Sequence, residues 1–328
     1  MDILKTITEE FKLREDHVQN IVQLLDEGNT IPFIARYRKE MTGHIDDQVL
    51  RDFADRLNYL RNIEKRKAEV TASITEQGKM TDEIMLALAG AETLTEAEDI
   101  YRPFKQKRKT RASVAIEKGL SPLADFILEQ TKESLEEKAK EFINEEKGVL
   151  DIQGAILGAQ DIIAEKISDD ADIRKDLREF IFKSSFILTS LKPNDKVNTY
   201  LMYDNYKEQV CKMPSHRILA INRGEKEDCL KVVLEVNEEK CLELIKNNFK
   251  IEESIFTEKL NETVLDSFNR LILPSLEREI RNNMFDDASE QAIKMFEVNL
   301  KPLLLQPPLK HTKGGRAYVI RWFLYTHH

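Results

Sequence analysis

Apolar residues recur every three or four positions along most of the chain, the spacing that lines one face of an α-helix. The longest run, residues 46–75, places Leu50, Phe53, Leu57, Leu60, Ile63, Val70 and Ile74 in one stripe, with Arg51, Arg56, Arg61, Lys65, Arg66 and Lys67 between them. Start signals accompany the stripes. Thr93 with Glu96 and Ser134 with Glu137 match a capping box, and Ser121-Pro122 sets a cap before a first-turn proline. Gly28, Gly119 and Gly224 each follow a periodic run at the place of a left-handed C-cap. SLEEKAKEFINEE, DIQGAILGAQDIIAEKI and ADIRKDLREFIFKSSF predict three helices in close order. Residues 192–215 lack a helical period and read as a crossing loop, SHRILAINRG as a helix and CLKVVLEV, 229–236, as the one clear strand. Helices resume near Asn237 and run to Leu305.

The fold class that follows is mainly α: a multi-helical, elongated scaffold with at most a minor strand element near 229–236. The scaffold is discontinuous, 1–129 with 193–310, because the broad apolar faces before 128 and after 237 each need a partner. Inserted between them, 130–192 reads as a three-helix, helix-turn-helix-like unit. The last stretch, 311–328, HTKGGRAYVIRWFLYTHH, reads as a tail foreign to the fold, ending in part of a histidine tag.

Composition agrees with a helix-rich protein large enough for two or three domains: 328 residues, 33% charged, 7% aromatic, with only 11 Gly and 9 Pro. No run of about 18 apolar residues exists to span a membrane. MDILKTITEEF carries acids where a signal or transit peptide has none, so a cytoplasmic protein without a membrane partner is expected. Cys211, Cys229 and Cys241 match no zinc spacing and read as free thiols. Nothing resembles a phosphate-binding GxxxxGK[ST] loop, a GxGxxG fingerprint, HExxH or GxSxG. The acidic pairs Asp46-Asp47, Asp169-Asp170 and Asp286-Asp287 read as helix-start carboxylates, so the expectation is no enzyme, no metal and no cofactor.

Against a formal net charge of -9, RPFKQKRKTR concentrates Arg102, Lys105, Lys107, Arg108, Lys109 and Arg111. Two readings stand: a solvated loop between helices, or a set of phosphate contacts acting through local charge, with Tyr101 and Phe104 adding base stacking. Arg102 and Arg111 sit at helix boundaries, where a nearby carboxylate such as Glu98 or Asp99 competes for them. In TIPFIARYRKEMTG, Thr30 and Pro32 start a helix with Ile31, Phe33, Ile34 and Tyr37 toward the core. Arg36, Arg38 and Lys39 point elsewhere, either as recognition cations or as members of internal ion pairs. In SHRILAINRGEKE, Ser215 and Gly224 read as caps and His216 as a packed or hydrogen-bonded residue. Arg217 and Arg223 bind either carboxylates across domains or phosphates outside.

TIPFIARYRKEMTG (30–43), ETLTEAEDIYRPFKQKRKTRASVAIEKGLSPLA (92–124), GAQDIIAEKIS (158–168) and PSHRILAINRGEKE (214–227) resemble the amino-terminal half of the Tex family over residues 1–310. These are bacterial transcription accessory proteins related to a eukaryotic elongation factor. The resemblance implies a nucleic-acid-binding factor whose helical first part precedes an RNase H-like domain, helix-hairpin-helix elements and an oligonucleotide-binding barrel. This chain is expected to stop before all of those, so RNA or DNA would be bound mostly through family domains absent here, with the transcription machinery as a further partner. Three functions follow: non-catalytic scaffold with sequence-independent phosphate contacts, protein-interaction scaffold without nucleic-acid contact, or hydrolase.

Overall fold

A computed structural model describes residues 2–105, 108–130, 134–193, 197–251 and 256–306. Lys107 and the stretch 311–328 lie outside the described residues. The chain is mainly helical with a small sheet. The described residues form two compact units, 2–177 with 242–272 and 178–241 with 273–306.

The first unit is built on α4 (Asp47–Glu76), whose 30 residues extend about 45 Å at 1.5 Å per residue. The Asp46 carboxylate starts the helix by accepting from the Val49 amide at 2.8 Å. Its apolar stripe is buried as the periodicity requires. Leu50, Phe53, Leu57, Leu60 and Ile63 form one core with Ile7 of α1 (Ile3–Phe11), Val18, Ile21 and Leu24 of α2 (Glu15–Asp26) and Ile34 of α3 (Ile31–Tyr37). Farther along, Val70 and Ile74 close on Leu88 of α5 (Asp82–Gly90), with Tyr101 of α6 (Leu94–Tyr101) and Phe104 packed against them. The Arg56–Glu10 and Arg61–Asp26 pairs tie the polar margin of α4 to α1 and α2.

After α7 (Arg111–Glu117), α8 (Ser121–Leu128) and α9 (Leu135–Lys140), α10 (Ile152–Asp169) buries seven apolar residues and packs against α7, α8 and α14 (Thr257–Asp266). Ser267 opens a π-helical stretch, Ser267–Ile272, and donates to the Ala164 carbonyl at 2.7 Å. A buried pair, Arg174 of α11 (Ala171–Ser184) to Asp99 at 2.8 Å, joins α11 to α6.

In the second unit β1 (Phe186–Leu191) is the centre of an antiparallel sheet ordered β2-β1-β3, with β2 Tyr206–Gln209 and β3 Leu230–Glu235. The register aligns Leu191 with Leu230 and Phe186 with Gln209. Helix α12 (Ser215–Lys226) packs on β3 and on α15 (Leu273–Leu304), while α13 (Glu238–Asn248) follows β3 in the chain.

Four expectations are corrected. The segment read as a crossing loop holds a 3-10 stretch, Val197–Tyr203, and strand β2. Strand β2, YKEQ, is four residues without a β-branched side chain, too short to announce a period-two pattern. Helix α9 covers six residues, and 141–149 turns back through an Asn144–Val149 bridge. Gly224 lies inside α12, where an added Cβ would sit 2.6 Å from Leu230 Cδ1; close approach, rather than a helix stop, explains it. Caps shift by one residue at α8 and α12, where Leu120 and Pro214 hold the N-cap position instead of Ser121 and Ser215.

Candidate nucleic-acid interface

The basic loop emerges between two well-anchored helix ends. Thr93 caps α6 by accepting from the Glu96 amide at 3.1 Å. At the other end Thr110 and Ser113 form a reciprocal capping box on α7, and the Thr110 hydroxyl donates to Glu165 at 3.1 Å. Between them the turn Arg102–Phe104 is pinned from below. Gln77 donates to the Phe104 carbonyl at 3.0 Å, and the Tyr101 hydroxyl meets the Ser73 hydroxyl at 3.0 Å with the Arg66 guanidinium over its ring. The two aromatics considered for base stacking are therefore turned into the apolar cluster of α4 and α5, because that is where their surface is removed from water.

The cations divide into two groups. Arg102 is half-buried and bound to Asp169 at 3.2 Å, an architectural role with a different carboxylate from those near it in sequence. Lys105, Arg108, Lys109 and Arg111 are exposed, and none holds an ion pair among the described residues. Beside them lies a cleft of about 330 Å³ lined by Lys105, Thr110, Arg111, Asp161, Glu165 and Arg270. Arg270 arrives from the π-helical stretch and binds Asp161 at 3.1 Å and Asp266 at 2.5 Å. Burial pushes the Asp161 carboxyl above its usual range, against the pull of Arg270 and Arg111. The cleft thus has a cationic lip over a floor of carboxylates. A polyanion gains most along the lip and least on the floor.

Helix α3 (Ile31–Tyr37) differs from its expectation. Ile34 is fully buried, whereas Phe33 is 36% and Tyr37 62% exposed. Seven residues give two apolar stripes, Ile31 with Ile34 and Phe33 with Tyr37, and only the first faces the core cluster. Arg36, Arg38 and Lys39 are exposed as expected. They form no ion pairs among the described residues.

In the second unit Arg217 donates to Glu208 at 2.8 Å and to the Tyr206 hydroxyl at 3.0 Å, so its carboxylate belongs to the same unit rather than to another. Burial, followed by the Glu208 hydrogen bond, pushes the Tyr206 hydroxyl up to about 12. Arg223 is exposed, and so is His216, which is not packed. Of the acidic pairs, Asp46 caps α4 and Asp170 caps α11 through the Ile173 amide at 2.9 Å. Asp286 and Asp287 lie well inside α15, away from any helix start. Among the described residues no cluster of three His, Cys, Asp or Glu is placed to hold a metal ion, and no helix is long and apolar enough to cross a membrane. Sequence reading missed Arg270, 159 positions after Arg111, and the outward turn of Phe33 and Tyr37. For the aromatics a signal existed in the two-stripe pattern of so short a helix; for Arg270 none did.

Two family models match the chain: the Tex-like protein N-terminal domain over residues 1–75 and the Tex central region-like model over 130–296. The uncharacterized protein YdcI of Bacillus subtilis is 45% identical over 309 residues, 93% of this chain and 43% of the relative. The transcriptional accessory protein Tex of Neisseria gonorrhoeae is 36% identical, across 94% of this chain and 42% of its own length. The human S1 RNA-binding domain-containing protein 1 is 31% identical, across 94% and 32%. The chain spans less than half the length of each of these relatives.

Proposed function

The chain belongs to the Tex family, and from that premise we propose that it is the non-catalytic, helical part of a transcription accessory factor that touches nucleic acid through its phosphate backbone. The observation carrying this reading is the basic loop: Lys105, Arg108, Lys109 and Arg111 stand exposed without ion pairs among the described residues, while their neighbours Tyr101, Arg102 and Phe104 are fastened to the core. Unpaired surface cations displace condensed counterions from a polyanion, a gain that depends on local charge and not on the whole-chain balance. Lys107 belongs to the same set by sequence. Arg223 joins the proposal as an exposed cation, and Arg217 as a weaker member because Glu208 already engages it. The scaffold of 1–129 with 193–310, the helix-turn-helix-like unit 130–192, contact with the transcription machinery and a cytoplasmic location are parts of the same proposal.

The test replaces Lys105, Lys107, Arg108, Lys109 and Arg111 with glutamine and measures fluorescence anisotropy on single-stranded RNA and duplex DNA at two salt concentrations. Removing one cation that meets a phosphate should lower the logarithmic salt slope by about 0.7 on single strands and about 0.9 on duplex, equally for all base sequences. An unchanged affinity and slope, or a parent that binds neither ligand at low salt, would leave a protein-interaction scaffold as the function.

A further inference from the structure

We propose that the outer face of α3 is a stacking platform for an unpaired stretch of polynucleotide, separate from the basic loop. The proposal rests on the nucleic-acid reading above and deepens it by specifying the strand state of the ligand. Phe33 and Tyr37, one helical turn apart, place their ring centroids 5.3 Å from each other. The Arg38 guanidinium lies 5.5 Å from the Phe33 centroid. Tyr37, at 62% exposure, leaves most of its ring to solvent. Single exposed aromatics are ordinary on a protein surface. Here the two rings form a continuous patch, and Arg36, Arg38 and Lys39, exposed and without ion pairs among the described residues, supply charge complementary to a phosphate backbone. Aromatic faces flanked by unpaired cations suit a single strand, whose bases are free to stack while its phosphates pass the cations; a duplex hides its base faces.

The patch is also held in place. The Asn20 side chain donates to the Met41 carbonyl at 3.2 Å, and the Thr42 hydroxyl, fully buried, donates to the Lys39 carbonyl at 3.2 Å. The segment carrying Arg38 and Lys39 is thereby fastened to α2 before any ligand arrives, which lowers the ordering cost of binding.

The experiment uses a labelled 12-nucleotide oligouridylate RNA and a 12-base-pair duplex DNA. Phe33→Leu with Tyr37→Leu should weaken RNA binding about tenfold or more, leave the salt slope unchanged and leave duplex binding unaltered. Tyr37→Phe, which keeps the ring, should bind as the parent does. Replacing Arg36, Arg38 and Lys39 with glutamine should lower the RNA salt slope by up to about 2. If the leucine pair binds RNA as tightly as the parent, the platform serves something else, such as a protein surface, and the proposal is overturned. Equal losses on RNA and duplex overturn it as well. Should the leucine pair fail to fold by circular dichroism, Tyr37→Trp replaces it: fluorescence quenching that saturates with the anisotropy supports stacking, and no quenching refutes it. Weaker binding by the loop variant but not by the leucine pair sinks this inference alone, whereas a parent that binds neither ligand sinks the underlying reading with it.

Discussion

Gly43 shows how one residue shapes the turn that follows α3. Its φ of 70° lies in the left-handed region, and a Cβ there would come within 2.4 Å of His17 Nδ1. Gly43→Ala should therefore cost at least about 1 kcal/mol in urea unfolding, with added loss from displacing the imidazole. The thiols respond to burial in another way. Cys211 is exposed, whereas Cys229 and Cys241 are buried, and burial pushes the Cys241 thiol from 9.0 up to about 11. One thiol should react rapidly with a disulfide reagent at pH 8 in the native protein, and three after denaturation. The raised value also has a stability consequence. Between pH 9 and 11 the unfolded thiol has lost its proton while the folded one keeps it, so stability falls as pH rises through that window. Cys241→Ala should flatten this part of the urea-midpoint profile relative to the parent; an identical decline in both proteins would refute it.

At the scale of an element, α4 separates two kinds of contribution. Leu60 is 1% exposed in the core shared with α1, α2 and α3, so Leu60→Ala leaves a cavity and should cost about 2–5 kcal/mol. The Asp46 cap holds only the first turn, and Asp46→Ala should cost about 0.5–2 kcal/mol. Chemical denaturation of both variants checks the order; a cap loss exceeding the core loss would mean that the helix start, not the stripe, holds this element. The loop between α6 and α7 follows the same logic from the opposite side. Lys105, Arg108, Lys109 and Arg111 are exposed and belong to neither apolar core cluster, so the glutamine variants should unfold close to the parent temperature.

For the whole molecule, the distribution of charge matters more than its sum. Among the described residues, a chain with formal net charge -9 carries four exposed cations between Lys105 and Arg111 and three at the C-terminal end of α3, Arg36, Arg38 and Lys39. Its carboxylates are largely spent on architecture: Asp169 holds Arg102, Asp170 caps α11, and Asp161 and Asp266 hold Arg270. With those groups engaged, RNA and DNA incubated with the protein and Mg²⁺ should remain intact on a denaturing gel. Cleavage that disappears in Asp169→Ala with Asp170→Ala would overturn the non-catalytic reading.

The one-dimensional pattern was enough to determine the α4 stripe from Leu50 to Ile74, the helix starts at Thr93 and Asp46, the mainly helical class and the Tex resemblance. These depend on neighbours three or four residues away, and such neighbours are written consecutively in the chain. Tertiary structure alone decided the rest. It paired β1 with β2, which carries little local signal, as well as with the legible β3, and it placed Gly224 inside a helix where Leu230 and Tyr200 leave no room for a Cβ. It also sorted the cations. Arg102 left the exposed set because Asp169, 67 positions away, reached it, while Phe33 and Tyr37 joined the surface because α4 covers only the Ile31 and Ile34 side of α3. Which partner arrives from far along the chain is a property of packing, and no local spacing records it.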